Sequence, residues 1–406
     1  MRGMVGERYH ALDAVRGFAL VLGVFFHATL AYLPGPQLWV AVDTSRSVEL
    51  SVAFFVLHIF RMTLFFVIAG FFARLLLERR GTWGFIKNRA ARIAMPLVMF
   101  WPIVITGIVA VAIWAAVQAN GGVAPEGEPP PPPTVETFPL THLWFLYVLL
   151  FFYAAALVLR GLVRLIDRNE TLRLRVVDPI VRLITGPGAP LLLAIPMAAT
   201  LFLTPNWYAW FGIPTPDTGL IPNTAALLCY GFAFGLGWLI HRQPTIFEGW
   251  GKWWLAYVGP AIGATISALM MLGLTPNLDG PAAQDWRMAG YAALYSFACW
   301  AWTIVIIGFA VRHLAGHSPA RRYLADASYW IYIVHIPIVM ALHALFAPYA
   351  WPWFVKYPLV LAVSFAIMLV SYQVLVRYSF IGAILNGKRE KPAKVKAAAP
   401  QLAAAE

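Results

Sequence analysis

Charge is what this chain has least of. Asp, Glu, Lys and Arg make up 12% of its 406 residues while hydrophobic residues reach 61%, whereas a soluble domain carries about a quarter charged residues. A water-soluble globular fold is thereby excluded, and a polytopic membrane protein remains. Cysteine is nearly missing too. Cys229 and Cys299 both fall inside apolar runs, so a disulfide framework is not expected and the two thiols read as packing residues. A cleaved leader is a poor reading of the N-terminus, because the first apolar run is long, contains His27 and is followed by further spans. No internal repeat is visible in the sequence.

What is present is a series of apolar runs near the ~20 residues that a bilayer crossing needs. Ten spans are predicted, at roughly 13–34, 51–76, 93–118, 140–160, 189–204, 221–240, 253–275, 289–312, 322–347 and 354–378. The fold class is therefore all-α, a polytopic membrane protein of about ten transmembrane helices. The fifth span is short and holds an internal proline, so it is expected to tilt or to sit partly in the interface. Twenty-five of the 30 Lys and Arg residues fall in segments that would lie on one side, which by the positive-inside rule places the N- and C-termini in the cytoplasm. The net charge of +12 then reflects topology and contact with the lipid bilayer, and nucleic acid is not an expected partner. A five-proline run in an outer loop (129–133) reads as an extended spacer, and the basic, Ala-rich tail from 386 to 406 reads as disordered.

The first span carries Asp13, Arg16 and His27 in "HALDAVRGFALVLGVFFHATLAYLPG". Eleven residues at 100° each come within about 20° of three full turns, so Arg16 and His27 share one helix face, ~16 Å apart along the axis. A charge at depth costs at least ~2.5 kcal/mol on insertion scales and so faces the bundle interior or a wet cavity. Taken alone, Arg16 reaching the headgroups and His27 bonding a neighbouring helix would account for both. Other spans add to them. His58 and Arg61 stand three apart on the second span, His142 opens the fourth, and Ser328, Tyr332 and His335 follow an i, i+4, i+7 ridge on the ninth. Several ionisable groups converging in lipid favour a functional polar cavity. No metal site is expected: His313 and His317 sit among arginines without a supporting carboxylate or thiolate, and the arginines beside the membrane histidines would repel a cation. An anionic or acyl substrate fits better.

"LDAVRG" followed by His27, then "FRMTLFFVIAGFFARLLLERRG", "FIKNRAARIAMPLV", "HLWFLYVLL" and "SYWIYIVHIPIV", resemble in order and span position the acyltransferase 3 family of integral-membrane acyltransferases. The resemblance covers 8–101, 140–160 and 322–345, and within the family it points to the branch linked to succinylation of osmoregulated periplasmic glucans. It implies a bacterial inner-membrane, multi-pass enzyme, with residues 1–385 as the transmembrane acyltransferase domain. Such an enzyme moves an acyl group from cytoplasmic acyl-coenzyme A, succinyl- or acetyl-coenzyme A, to hydroxyls of a periplasmic glycan. No bound cofactor is implied, and glucan-biosynthesis proteins are possible partners.

By the same resemblance Arg16 and His27 are the essential arginine and histidine, and Arg89 and Arg92 of the basic loop meet the coenzyme phosphates, with Arg79 and Arg80 nearby. Two residues separate Arg89 from Arg92 where the family often shows a tighter pair. The chemistry agrees from below: a sugar hydroxyl is a weak nucleophile that needs a base, which histidine supplies, and arginine binds phosphate or a developing oxyanion. Asp13 is read as the orienter of Arg16. His27 serves as general base or as transient acyl carrier. His58, Arg61, His142, His335 and Tyr332 are expected around the acceptor. Other readings are an O-acetyltransferase of lipopolysaccharide or exopolysaccharide, a secondary transporter, which would predict inverted repeats or paired broken helices, and a non-catalytic scaffold.

Overall fold

The computed structural model describes residues 2–35, 37–124, 131–278 and 280–387, with side chains from His10 onward. Most of the tail and the first two prolines of the 129–133 run lie outside the described residues. The described chain is helical throughout apart from loops, with one isolated bridge between Pro139 and Thr218. Twelve α-helices follow in order: α1 (Arg2–Thr29), α2 (Val48–Arg89), α3 (Met95–Ala119), α4 (Trp144–Ile166), α5 (Asp178–Ile184), α6 (Ala189–Phe202), α7 (Thr224–Ile240), α8 (Ile246–Leu272), α9 (Trp286–His313), α10 (Pro319–Phe346), α11 (Trp353–Ser371) and α12 (Phe380–Asn386).

Among the described residues seven helical stretches are long and apolar enough to cross a membrane, and an eighth counts if the pair Arg173–Ile184 and Ala189–Phe202, bent by 98°, is one span. One of the seven, Val48–Ala119, runs for 72 residues. At 1.5 Å per residue that is several times the ~30 Å hydrocarbon core, so the run contains both the 51–76 and the 93–118 spans. Its break is Gly81, at φ 68° and ψ 176°, a conformation that glycine adopts without a steric penalty. The 221–240 span corresponds to α7, an apolar helix of 17 residues. Every predicted crossing thus has a helix. The 98° bend falls between α5 and α6, just before the short, proline-containing fifth span.

The bundle is centred on α2, which packs along α7, while α9 packs along α6 and α8 and α1 along α10. The α2–α7 contact is a backbone contact. A Cβ on Gly70 would collide with the Phe234 carbonyl, and one on Gly237 with the Val67 carbonyl, so these small residues set the separation, as is common between membrane helices. That close approach places α2, with Arg61, in the middle of the molecule. Facing it are α1 with His27, the short turn Thr141–Leu143 with His142 at the start of α4, and α10 with His335.

Candidate active site

The segment between α1 and α2 is held to the start of α11 by a buried ion pair. Lys356 Nζ donates to Asp43 Oδ2 at 2.7 Å with both side chains almost fully buried. The Trp353 N–H donates to Ser45 Oγ at 2.8 Å. This clamp positions Trp39, whose indole N–H donates to His343 Nδ1 at 2.8 Å. The indole stacks on His27, with ring centroids 6.1 Å apart and planes at 20°.

Below Trp39 lies a cavity of about 40 Å³, lined by His27, Arg61, His142, Tyr332 and His335, with Gly23 in its wall. The His27 and His335 rings are 5.1 Å apart, and the His335 and His142 rings 4.9 Å. Tautomers follow from the partners. His335 Nδ1 faces the Tyr332 carbonyl at 2.7 Å, an acceptor only, so Nδ1 carries the proton and Nε2 of the neutral ring presents a lone pair. His142 Nε2 faces the Ile333 carbonyl at 3.0 Å and is protonated by the same argument. Tyr332 donates its hydroxyl to the His142 carbonyl at 2.7 Å, tying α10 to the start of α4. Buried His27 Nδ1 and His335 Nε2 have no hydrogen-bond partner among the described residues.

Arg61 is treated unusually. Its guanidinium carbon stands 4.1 Å from the centroid of the Phe26 ring, a cation–π contact. Nε and Nη1 have no hydrogen-bond partner among the described residues. Buried polar atoms are nearly always paired, so such a group marks a place where a ligand atom would be received. Phe26 also stacks on Phe54 and His58, at 4.3 and 5.4 Å. His58, expected in the cavity, therefore belongs to this aromatic stack and lies outside the lining.

A second cavity, of about 210 Å³, opens at the arginine-rich end of the bundle and is lined by Arg16, Arg89, Arg92, Tyr153, Tyr329 and Asn386 among others. Arg16 Nη2 is 3.2 Å from Asp13 Oδ1. Arg89 precedes and Arg92 lies within a single π-helical turn, Ala90–Ala94, an irregularity frequent at functional sites. Arg89 donates to Asn88 Oδ1 at 2.8 Å and lies over the Tyr153 ring at 5.4 Å, while the Tyr329 hydroxyl donates to the Arg92 carbonyl at 2.7 Å. Arg79 and Arg80, expected beside the same phosphates, are exposed and outside this lining. Both precede Gly81, where the non-helical backbone separates them from the stretch that carries Arg89 and Arg92.

The two cavities share Leu20, Phe65, Phe145 and Tyr332 in their walls, so they abut. Sequence reasoning missed several participants. Tyr153 and Tyr329 were not singled out, Asn386 was assigned to the tail, and Trp39 lay in a loop with no periodicity to place it. The one available signal was Trp39 itself, a large aromatic just after the span that carries His27. The imidazoles form no metal cage: among the described residues no group of three His, Cys, Asp or Glu side chains meets that geometry.

Comparison with known proteins adds the family. The acyltransferase domain family matches residues 9–373. Glucans biosynthesis protein C of Escherichia coli O17:K52:H18 is 23% identical over 403 residues, covering 96% of this chain and 97% of its own length. Its counterpart in Escherichia coli K12 is similar to the same degree and coverage. The Salmonella paratyphi B protein of that name is 22% identical over 407 residues, again at 96% and 97% coverage. No solved structure matches the chain. With the family spanning nearly all of the helical bundle, the chain belongs to the acyltransferase 3 family and is a multi-pass membrane acyltransferase.

Proposed function

We propose that this acyltransferase resides in a bacterial inner membrane with both termini cytoplasmic, and moves a succinyl or acetyl group from acyl-coenzyme A to hydroxyls of a periplasmic glycan. Osmoregulated periplasmic glucan is the favoured acceptor. The observation that carries this reading is the pair of abutting cavities, cationic at one end of the bundle and imidazole-lined toward the other. Arg16, Arg89 and Arg92 suit the phosphates of a multiply charged donor, with Asp13 orienting Arg16. The full-length likeness to proteins named for glucan biosynthesis supports the acceptor class.

In this reading the acyl thioester reaches past Tyr332 to the histidines. The sugar hydroxyl loses its proton to an imidazole as its oxygen bonds the acyl carbon, the carbon–sulfur bond breaks, and the coenzyme thiolate is reprotonated. The unpaired Nε and Nη1 of Arg61 face the negative charge that develops on the carbonyl oxygen. His27 acts as the base, and the lone pair on His335 Nε2 receives the proton onward. Neither substrate need cross the bilayer whole.

The test is mass spectrometry of periplasmic and surface glycans from cells carrying the wild-type protein, a deletion, or His27→Ala at the same membrane level. Loss of one acyl ester in both the deletion and His27→Ala is expected, with transfer reduced at least ~100-fold, and the mass difference names the acyl group. Unchanged glycans in the deletion would sink the acceptor assignment. Full acylation by His27→Ala would remove His27 from the chemistry.

A further inference from the structure

A third cavity shares no lining residue with the two above. It lies between α4 and α7 and has a volume of about 600 Å³, within the roughly 300–1,000 Å³ typical of ligand sites. Its depth is apolar, formed by Phe152, Ala156, Leu227 and Phe234, with Trp238 toward the rim. Gly235 adds empty space, since a Cβ there would meet nothing within 4 Å. Leu159, in the same wall, is 59% exposed on the outer surface of the bundle, so the cavity opens sideways, where hydrocarbon surrounds a membrane protein.

One end of this groove is strongly cationic. Arg74, Arg160, Arg164, Arg173 and Arg242 line it, accompanied by Glu78 and Glu170. Three of the five have carboxylate partners: Arg74 pairs with Glu78, Arg173 with Asp167 and Arg242 with Asp178, each at 2.8 Å. Among the described residues Arg160 and Arg164 form no ion pair. Five guanidiniums ring one end of the apolar trench, and the two without a carboxylate partner, half-buried Arg160 and exposed Arg164, remain open to an anion.

We propose that the α4–α7 groove is a site for an anionic phospholipid, with an acyl chain along Phe152, Leu227 and Phe234 and the phosphate against Arg160 and Arg164. An apolar trench, a sideways opening and a cationic end in the headgroup zone match the three parts of such a lipid. A soluble anion would use the rim and leave the trench empty. The site is independent of the reading of the reaction above.

The experiment uses the full chain in mild detergent, titrated by native mass spectrometry with phosphatidylglycerol or with phosphatidylcholine of the same chain length. Phosphatidylglycerol should be retained preferentially, and Arg160→Gln with Arg164→Gln should weaken it roughly 30-fold, from the typical strength of two basic residues at an anionic headgroup. Gly235→Leu, which fills the trench and leaves every charge in place, should reduce retention of both lipids. It also keeps the test decisive if the double arginine variant does not fold. Equal retention of the two lipids, undiminished retention by either variant, or displacement of phosphatidylglycerol by coenzyme A would overturn the proposal.

Discussion

Two basic side chains, Lys356 and Arg61, are buried among the described residues, and the bundle treats them in opposite ways. Lys356 is fully inaccessible and meets a carboxylate, Asp43, at 2.7 Å, in a segment whose backbone groups are also bonded. Arg61 lies at the centre of the molecule with an aromatic face for company and two nitrogens without partners. A buried ion pair that is satisfied holds geometry; a buried cation left open holds it in readiness for something else. The first fixes the loop that carries Trp39 above His27. The second faces the cavity beneath.

The sharpest way to break this comparison is to remove each cation in turn. Lys356→Ala strands Asp43 and should cost about 3–5 kcal/mol, read as a lowered unfolding midpoint of the detergent-solubilised protein. Replacing both partners, Lys356→Met with Asp43→Leu, should recover most of that loss. Arg61→Leu should leave stability within about 1 kcal/mol of wild type, because no carboxylate is stranded. It should instead lower acyl transfer ~10²–10³-fold. If Arg61→Leu unfolds the protein as readily as Lys356→Ala, the two sites are not different in kind.

Two smaller changes refine the contrast. A methyl group at Gly23 would sit 3.6 Å from Arg61 Nη1 and 3.9 Å from His335 Nε2, ordinary contact distances that occupy space between them. Gly23→Ala should stabilise α1 by about 0.5–1 kcal/mol and slow transfer roughly tenfold, a split that parallel denaturation and activity assays would reveal. Tyr332→Phe removes only the hydroxyl that holds the His142 carbonyl. It should cost about 1 kcal/mol, seen in the same denaturation assay.

Much of the fold could be read from the sequence because lipid imposes a strict code: a crossing must be long, apolar and helical. For the same reason Arg16, His27, Arg61, His142 and His335 stood out, being expensive where they lie. What could not be read was anything set by helix packing. Arg79 and Arg80 were grouped with Arg89 and Arg92 by proximity along the chain, and Gly81 separates them. His58 was placed by its spacing from Arg61, and in the bundle it stacks on Phe54 and on Phe26, the ring that also faces Arg61. The clamp between Asp43 and Lys356 joins residues 313 apart, a pairing that only the folded bundle defines.

The cavity below Trp39 carries one more consequence, through its size. A cavity needs about 10–15 Å³ of space open to the centre of a water-sized sphere to hold one water, so the roughly 40 Å³ found here on that measure has room for only a few waters. In the proposed reaction the acyl group would displace those waters. A cell could then decorate the outside of its membrane from a cytoplasmic donor through a passage that holds only a few waters between reactions.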